Sequence, residues 1–399
     1  MDVHTKLLIV GAGPFGMAAA SLARDQGIDH LMIGSQMAFW REHMPAGMYL
    51  RSAADWHLDA AGVCTIERFL GTLGLTRSDA EPLSLQRYLE YTDWFQVQKR
   101  LHPVDDRVTA LHHVEGTRAP FRAEMASGAV VTAEAVLLAL GFGCFAHAPG
   151  EIVSMLPAGR WAHTCDFVAL EHSSDRRCLV LGGRQSAFEW AALLNEAGAA
   201  SVHVVHRHET PRFAEADWSW VGPLVERFED EPGWYRRLAK VEREALEYRL
   251  WCEGRLKVEP WLEPRCRSER ITVWPSTQVV SAREGPGDAV TVRFDNGRVA
   301  AFEQIVLATG YKADLARVPF LTRGNLLGLV AAENGRPLLD DTLQTTVAGL
   351  FVTSLLAGHD FGPFFAFTVS ARTSARLVIR GLGEEGSVLP PMHDRRQQS

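Results

Sequence analysis

Residues 5–20 read TKLLIVGAGPFGMAAA, and this stretch decides the fold. An apolar run of strand character stops at Gly11, and an Ala-rich run of helical character comes directly after it. Between them Gly11, Gly13 and Gly16 spell G-x-G-x-x-G. The first glycine permits a tight turn, the second lets backbone approach a pyrophosphate, and the third lets helix and strand pack closely. The helix N-terminus then offers free N–H groups and the positive end of its dipole to an anion. Gly27 stops the helix, and HLMI (30–33) is the second strand of a βαβ unit. Pro14 and Phe15 inside the turn, and Trp40 beyond the second strand, are further candidates for nucleotide contact. An acid expected about 20 residues on, to hold the ribose hydroxyls, is absent. Ser35 or Gln36 stands there instead, and water or backbone alone is the alternative.

A second turn, VLGGRQSA (180–187), succeeds the strand CLVL and leads into the helical FEWAALLNEAG. Gly182 and Ala187 fit the first and third positions, with Gly183 between the first two. Arg184 occupies the second. Its Cβ either obstructs a pyrophosphate, or its guanidinium lies over the phosphates and binds them bidentately. The next strand, SVHVVHR, ends at Arg207 between His206 and His208; an arginine here suits the 2′-phosphate of NADP, unless it is an ordinary surface residue. Gln185 and Ser186 are candidates for nicotinamide or phosphate contact, with N-capping by Ser186 the alternative.

The 399 residues suit two domains. A composition 47% hydrophobic and 22% charged is that of a globular protein. A net charge of -7 and a pI near 6.1 argue against nucleic acid or an anionic membrane as partner. No apolar run spans a bilayer and no signal peptide precedes the first strand, so a cytoplasmic location is expected. The six cysteines form no C-x-x-C, which weakens a zinc site or a dithiol reductase; no metal is expected.

Elsewhere, GAVVTAEAVLLALGFG (128–143) reads as strand, turn, strand, and AHAPG (146–150) as a linker. Residues 212–262 break the α/β rhythm with five tryptophans, and VEREALEYRLWCEGRL reads as an amphipathic helix. That insert is either core or an aromatic substrate pocket. Strands resume at ITVWP, AVTVRF and QIVLATGY, then GLFVTSLL, before a last helix in FFAFTVSARTSARLVIRGL. The tail from Glu384 is expected to be mobile.

With two turns in one chain, the sequence resembles the two-dinucleotide flavoproteins, and more narrowly the class B flavin monooxygenases. QIVLATGY (304–311), with Thr309, Gly310 and Tyr311, looks like the ATGY segment of the N-hydroxylating group; Glu303 matches its acid. PAGRWAHTCDF (157–167) supplies Gly159, His163 and Phe167 of the fingerprint F-x-G-x-x-x-H-x-x-x-[F/W], with Pro157 replacing its leading Phe. GGRQSA is close to the G-x-G-Q-S-A turn of N-hydroxylases.

The resemblance implies an α/β fold of two Rossmann-like domains. The FAD domain comprises 1–151 and 306–399; the NADPH domain, 152–305, is inserted in it and carries the helical Trp-rich insert. It implies a monooxygenase in which NADPH reduces FAD, and a C4a-(hydro)peroxide formed with molecular oxygen transfers one oxygen atom to a small molecule such as an amine or aromatic compound, N-oxygenation being favoured. The flavin carries the hard chemistry, so no acid–base dyad is required. His163 is expected to couple the domains. Arg51, Ser52 and His57 of MYLRSAADWHL (48–58) are candidates at the flavin face, with a structural role open for His57. In HDFGPFFAFTV (359–369), a helix starting at Pro363, with Asp360, Gly362 and Phe364 near it, would point its N-terminus at the flavin or simply pack. Two rivals remain: an NAD(P)H oxidoreductase serving a quinone or other acceptor without oxygen insertion, and a non-catalytic flavin-binding redox sensor.

Overall fold

The computed structural model describes residues 2–166 and 169–383; Phe167 and the tail from Glu384 lie outside the described residues. Two sheets organise the chain, the first mixed and the second parallel. In the first, the strand Asp2–Val10 lies between His30–Ile33 and Val130–Leu138, parallel to both. Val130–Leu138 divides its other edge. Its first half pairs antiparallel with Phe121–Met125, and residues 136–138 pair parallel with the late strand Leu350–Val352. The segment expected to hold two strands is therefore one. Thr132 and Glu134, which read as a turn, are the outward positions of an alternating strand.

The second sheet is parallel throughout, in the order Ile271–Trp274, Ser201–Val205, Arg177–Leu181, Gln304–Leu307, Ala162–His163. Cys178 and Val180 pack with Trp190, Ala191 and Leu194 of the helix Gln185–Glu196. Leu179 and Leu181 pack with Val290, Val292, Phe294 and Phe302 of an antiparallel three-stranded meander. Burial on both faces explains the unbroken apolar run CLVL. Glu303 forks onto the Arg177 guanidinium and accepts from the Arg177 N–H at 2.8 Å, tying the starts of two neighbouring strands.

The insert holds the helices Val221–Asp230, Trp234–Arg237 and Lys240–Arg255. The last is a helix as expected, but none of its residues is fully buried; Leu246 and Leu250 pack partly on the core, and its C-terminal carbonyls accept from Arg51 and Arg184. The C-terminal helix also differs from expectation. Pro363–Ala366 and Thr368–Ser370 are short 3-10 turns, and the α-helix runs Ala371–Gly383. Extended backbone at Phe367 (ψ 157°) interrupts it, while Phe361, Phe364 and Phe365 pack against Phe228, Trp234 and Tyr235 of the insert. Among the described residues, no helix is long and apolar enough to cross a membrane.

The first turn yields a test of the packing. A Cβ at Gly16 would lie 1.8 Å from the Gly11 carbonyl oxygen, whereas one at Gly13 meets nothing within 4 Å. Gly16→Ala is expected to cost about 1–3 kcal/mol in urea unfolding, as overpacking does. Gly13→Ala should leave stability nearly unchanged while weakening nucleotide binding.

Candidate functional site

The first turn is built by close approach. Gly11 sits at φ +115°, and a Cβ there would fall 2.3 Å from the Ala139 carbonyl oxygen, just past the strand Val130–Leu138. The helix Pro14–Asp25 starts at Gly13 with no side-chain cap, leaving its first N–H groups available. Around it opens a cavity of about 550 Å³. Gly11, Gly13, Pro14, Phe15, Ser35 and Trp40 all line it. Free space at Gly13 beside uncapped N–H groups fits a dinucleotide pyrophosphate.

Two acids do reach the end of this strand, from another part of the chain. Residues 102–106 run beside the end of His30–Ile33: Val104 N–H donates to Met32 O at 2.8 Å, and Gly34 N–H to Val104 O at 2.9 Å. This brings Asp105 onto the Ser35 hydroxyl and Asp106 to the cavity wall. Sequence reasoning misses both, because 70 residues separate Asp105 from Ser35 and no local pattern links them.

The second turn repeats the first. Gly182 has φ +151°, and a Cβ would lie 2.4 Å from the Ala308 carbonyl oxygen. A Cβ at Gly183 would strike the His206 ring at 2.3 Å. Arg184 is the N-cap of the helix Gln185–Glu196, so Ser186 lies inside the first turn and does not cap it. The Arg184 guanidinium donates to the Arg255 carbonyl at the end of the helix Lys240–Arg255 and stands 5.7 Å over Trp251. The Gln185 side chain is buried; its oxygen accepts from Glu259 N–H at 2.9 Å, while its NH₂ has no partner. Arg207 is exposed.

Between the units, His163 is buried, with Nε2 3.0 Å from Gly310 O and Nδ1 3.1 Å from Cys165 Sγ. Burial lowers its pKa. Its ring meets Tyr311 edge-on at 5.3 Å, and the Thr309 hydroxyl donates to His147 O. The ATGY segment thus threads between the linker and His163.

Arg51 pairs with Glu259 at 2.8 Å and donates to the Gly254 and Glu253 carbonyls. The Thr368 hydroxyl donates to Ser52 Oγ at 3.1 Å. His57 is buried and accepts from Arg372 at 2.7 Å. Burial, then the Arg372 charge, drives its pKa from 6.5 to about 4, so it is neutral near pH 7. Next to these residues lies a cavity of about 800 Å³ with Trp56, Trp218 and Arg372 in its wall. Asp360 accepts from Leu339 N–H at 2.7 Å, Phe364 is buried, and Gly362 (φ +83°) sits against the Phe364 and Tyr235 rings. All six cysteines are free, and among the described residues no His, Cys, Asp or Glu side chains cluster as metal ligands.

This geometry generates two measurements. Asp105→Asn should raise the dissociation constant of the nucleotide at the first turn several-fold, read from flavin fluorescence released on dilution, because it removes a charged acceptor beside the ribose position. The depressed His57 value means that the unfolded chain takes up its proton first. Its contribution to stability is complete above pH 6.5 and is lost as pH falls toward 4. His57→Gln should therefore narrow the stability difference between pH 7.5 and 5 in urea unfolding.

Among curated proteins, an FAD-dependent urate hydroxylase of Xanthomonas campestris pv. campestris is 29% identical over 222 residues, 52% of this chain and 46% of that protein. The chain spans less than half the length of the curated relatives it matches. Among solved structures, the ornithine N-hydroxylase of Kutzneria sp. 744, in complex with reduced FAD, NADP+ and L-ornithine, superposes with TM-score 0.78 at 16% identity over 95% of this chain and 99% of that one. The ornithine hydroxylase of Pseudomonas aeruginosa gives 0.76 at 17%, over 95% and 99%. At these identities the likeness is one of fold: two dinucleotide units, one inserted in the other. The sequence pattern of the pyridine nucleotide-disulphide oxidoreductases matches residues 8–231, more than half of the 399, and the protein belongs to that family.

Proposed function

We propose that the protein is an FAD- and NADPH-dependent monooxygenase that inserts one oxygen atom into a small molecule, an amine above all. FAD would lie along the first turn, held by Gly11, Gly13 and the Ser35–Asp105 pair, and NADPH along the second. Bound flavin supplies the redox and oxygen chemistry. The chain's own residues bind, orient and exclude water. The observation that carries this reading is the pair of turns joined through His163 with no dithiol to relay electrons. Burial raises the thiol pKa of Cys165 to about 11 and of Cys178 and Cys266 to about 12, so these thiols stay protonated and poorly nucleophilic. The fold it shares with two ornithine hydroxylases is consistent with N-oxygenation.

The cavity beside Ser52 and Thr368 favours a cation. Asp55, Glu81, Glu215, Asp217 and Glu226 line it with Arg77 and Arg372, Arg249 pairs with Asp217 from outside the wall, and the acids still outnumber these cations, with the Trp56 and Trp218 rings in the wall. Such a wall attracts the ammonium of a diamine or basic amino acid and repels an anion such as urate. The second amine, deprotonated, would be the nucleophile.

The test needs no known substrate at first. The holoenzyme is reduced with NADPH without air and mixed rapidly with oxygenated buffer. A persistent near-ultraviolet species before the oxidised spectrum returns is expected. Diamines and basic amino acids should then yield hydroxylamines by mass spectrometry, with NADPH consumed in proportion. Immediate return of the oxidised spectrum, with peroxide or a reduced acceptor as the only product for every amine, would overturn the proposal in favour of a non-oxygenating reductase.

A further inference from the structure

The end of the insert helix gathers arginines without anions. Arg255 is exposed over the residue as a whole while its guanidinium end is crowded by protein, and among the described residues that guanidinium has no hydrogen bond or ion pair. Its backbone carbonyl holds the Arg184 guanidinium. Burial, then the neighbouring Arg255 and Arg207 charges, lowers the Arg184 pKa; burial, then Arg51, lowers that of Arg255. Arg51 is compensated by Glu259. Arg184 has only a carbonyl and the Trp251 ring, and among the described residues Arg255 has neither hydrogen bond nor ion pair. Beside them lies the buried Gln185 NH₂, also without a partner. Neighbouring cations with no carboxylate facing them, beside a buried donor with no partner, favour an anion at this place.

We propose that Arg255, carried by the insert, grips the pyrophosphate of the nicotinamide dinucleotide together with Arg184. This rests on reading the second turn as a nicotinamide-dinucleotide site. In the first turn an open glycine lets backbone meet the pyrophosphate. In the second, Arg184 fills that position, and a side-chain grip from two segments takes its place. Binding would draw Arg184 from the Arg255 carbonyl onto phosphate. Arg207, on the strand end, would meet the 2′-phosphate instead.

The assignment is tested on the flavin-loaded protein by titrating NADP+ and NAD+ and following heat or tryptophan fluorescence, Trp251 being the reporter beside Arg184. Arg255→Ala should weaken both dinucleotides by about tenfold, as expected for a charge-assisted contact, without changing their ratio. Arg255→Lys should restore part of the loss. Arg207→Ala should weaken NADP+ alone. Arg249→Ala, on the same helix but paired with Asp217 and stacked on Trp220, should change neither and so separates lost contact from a disturbed helix. Unchanged affinities in Arg255→Ala would overturn the assignment, as would a loss confined to NADP+, which would move Arg255 to the 2′-phosphate. If the unaltered protein binds neither dinucleotide, the second-turn reading fails and this inference with it; binding by the unaltered protein with no effect of Arg255→Ala defeats this inference alone.

Discussion

The structure depends on a close approach made twice. At Gly11 and again at Gly182, the turn presses against the carbonyl of a crossing strand, Ala139 in one unit and Ala308 in the other, at distances no side chain could share. This contact fixes where each turn points and where each crossing strand ends. It also sets the path of the chain beyond each carbonyl. Gly141 and Gly310 both turn the chain at positive φ, so LGFG and TGY are the same structural element used in the two units. The second copy carries the His163 contact. A buried imidazole, its pKa lowered by burial, bridges Gly310 and Cys165 and holds the return segment where the two units meet.

A second set of contacts joins the insert to both units. The C-terminal carbonyls of Lys240–Arg255 would be unsatisfied in a helix with no buried face. Arg51 takes two of them from one unit and Arg184 takes a third from the other. Cations at a helix C-terminus also suit its dipole. Nearby, Glu189 is buried and accepts from Tyr49 N–H at 2.8 Å across the same junction; burial raises its pKa to about 7. The joint between the units thus combines specific polar contacts with the aromatic packing of Phe361, Phe364 and Phe365 on Phe228, Trp234 and Tyr235.

Locality decides how much of this is legible in the sequence. Glycine turns, their strands and their helices are written within about thirty residues, in patterns whose physics is local, and both units are legible for that reason. Asp105 is not: only the lateral pairing of Val104 with Met32 and Gly34 brings it to Ser35. Thr132 and Glu134 mislead because outward positions of a strand look like a turn when read alone. The sequence places the C-terminal helix eight residues early because Pro363 is a good helix opener. The competing demand of Phe361, Phe364 and Phe365 for the insert's aromatic rings is tertiary. The insert helix looks amphipathic, yet its Leu246 and Leu250 are only partly covered by the core and Arg51 and Arg184 hold its C-terminal end. Arg51 and His57 are legible as unusual, but their partners, Glu259 and Arg372, lie 208 and 315 residues away.

The two turns also differ in a way that matters for how each would hold its ligand. Gly13 leaves space and presents backbone, a rigid donor set that moves only if the fold does. Arg184 presents a side chain, already engaged with a helix carbonyl and an indole ring. Backbone donors lose little freedom on binding, since folding has already fixed them. Guanidinium donors must exchange one partner for another, and their grip weakens with salt where solvent reaches them. The first turn is therefore suited to a resident group and the second to a ligand that arrives and departs. That asymmetry is what a protein needs if one nucleotide stays to react and the other only delivers electrons. It centres on Arg184, which stands in the second turn where Gly13 stands in the first.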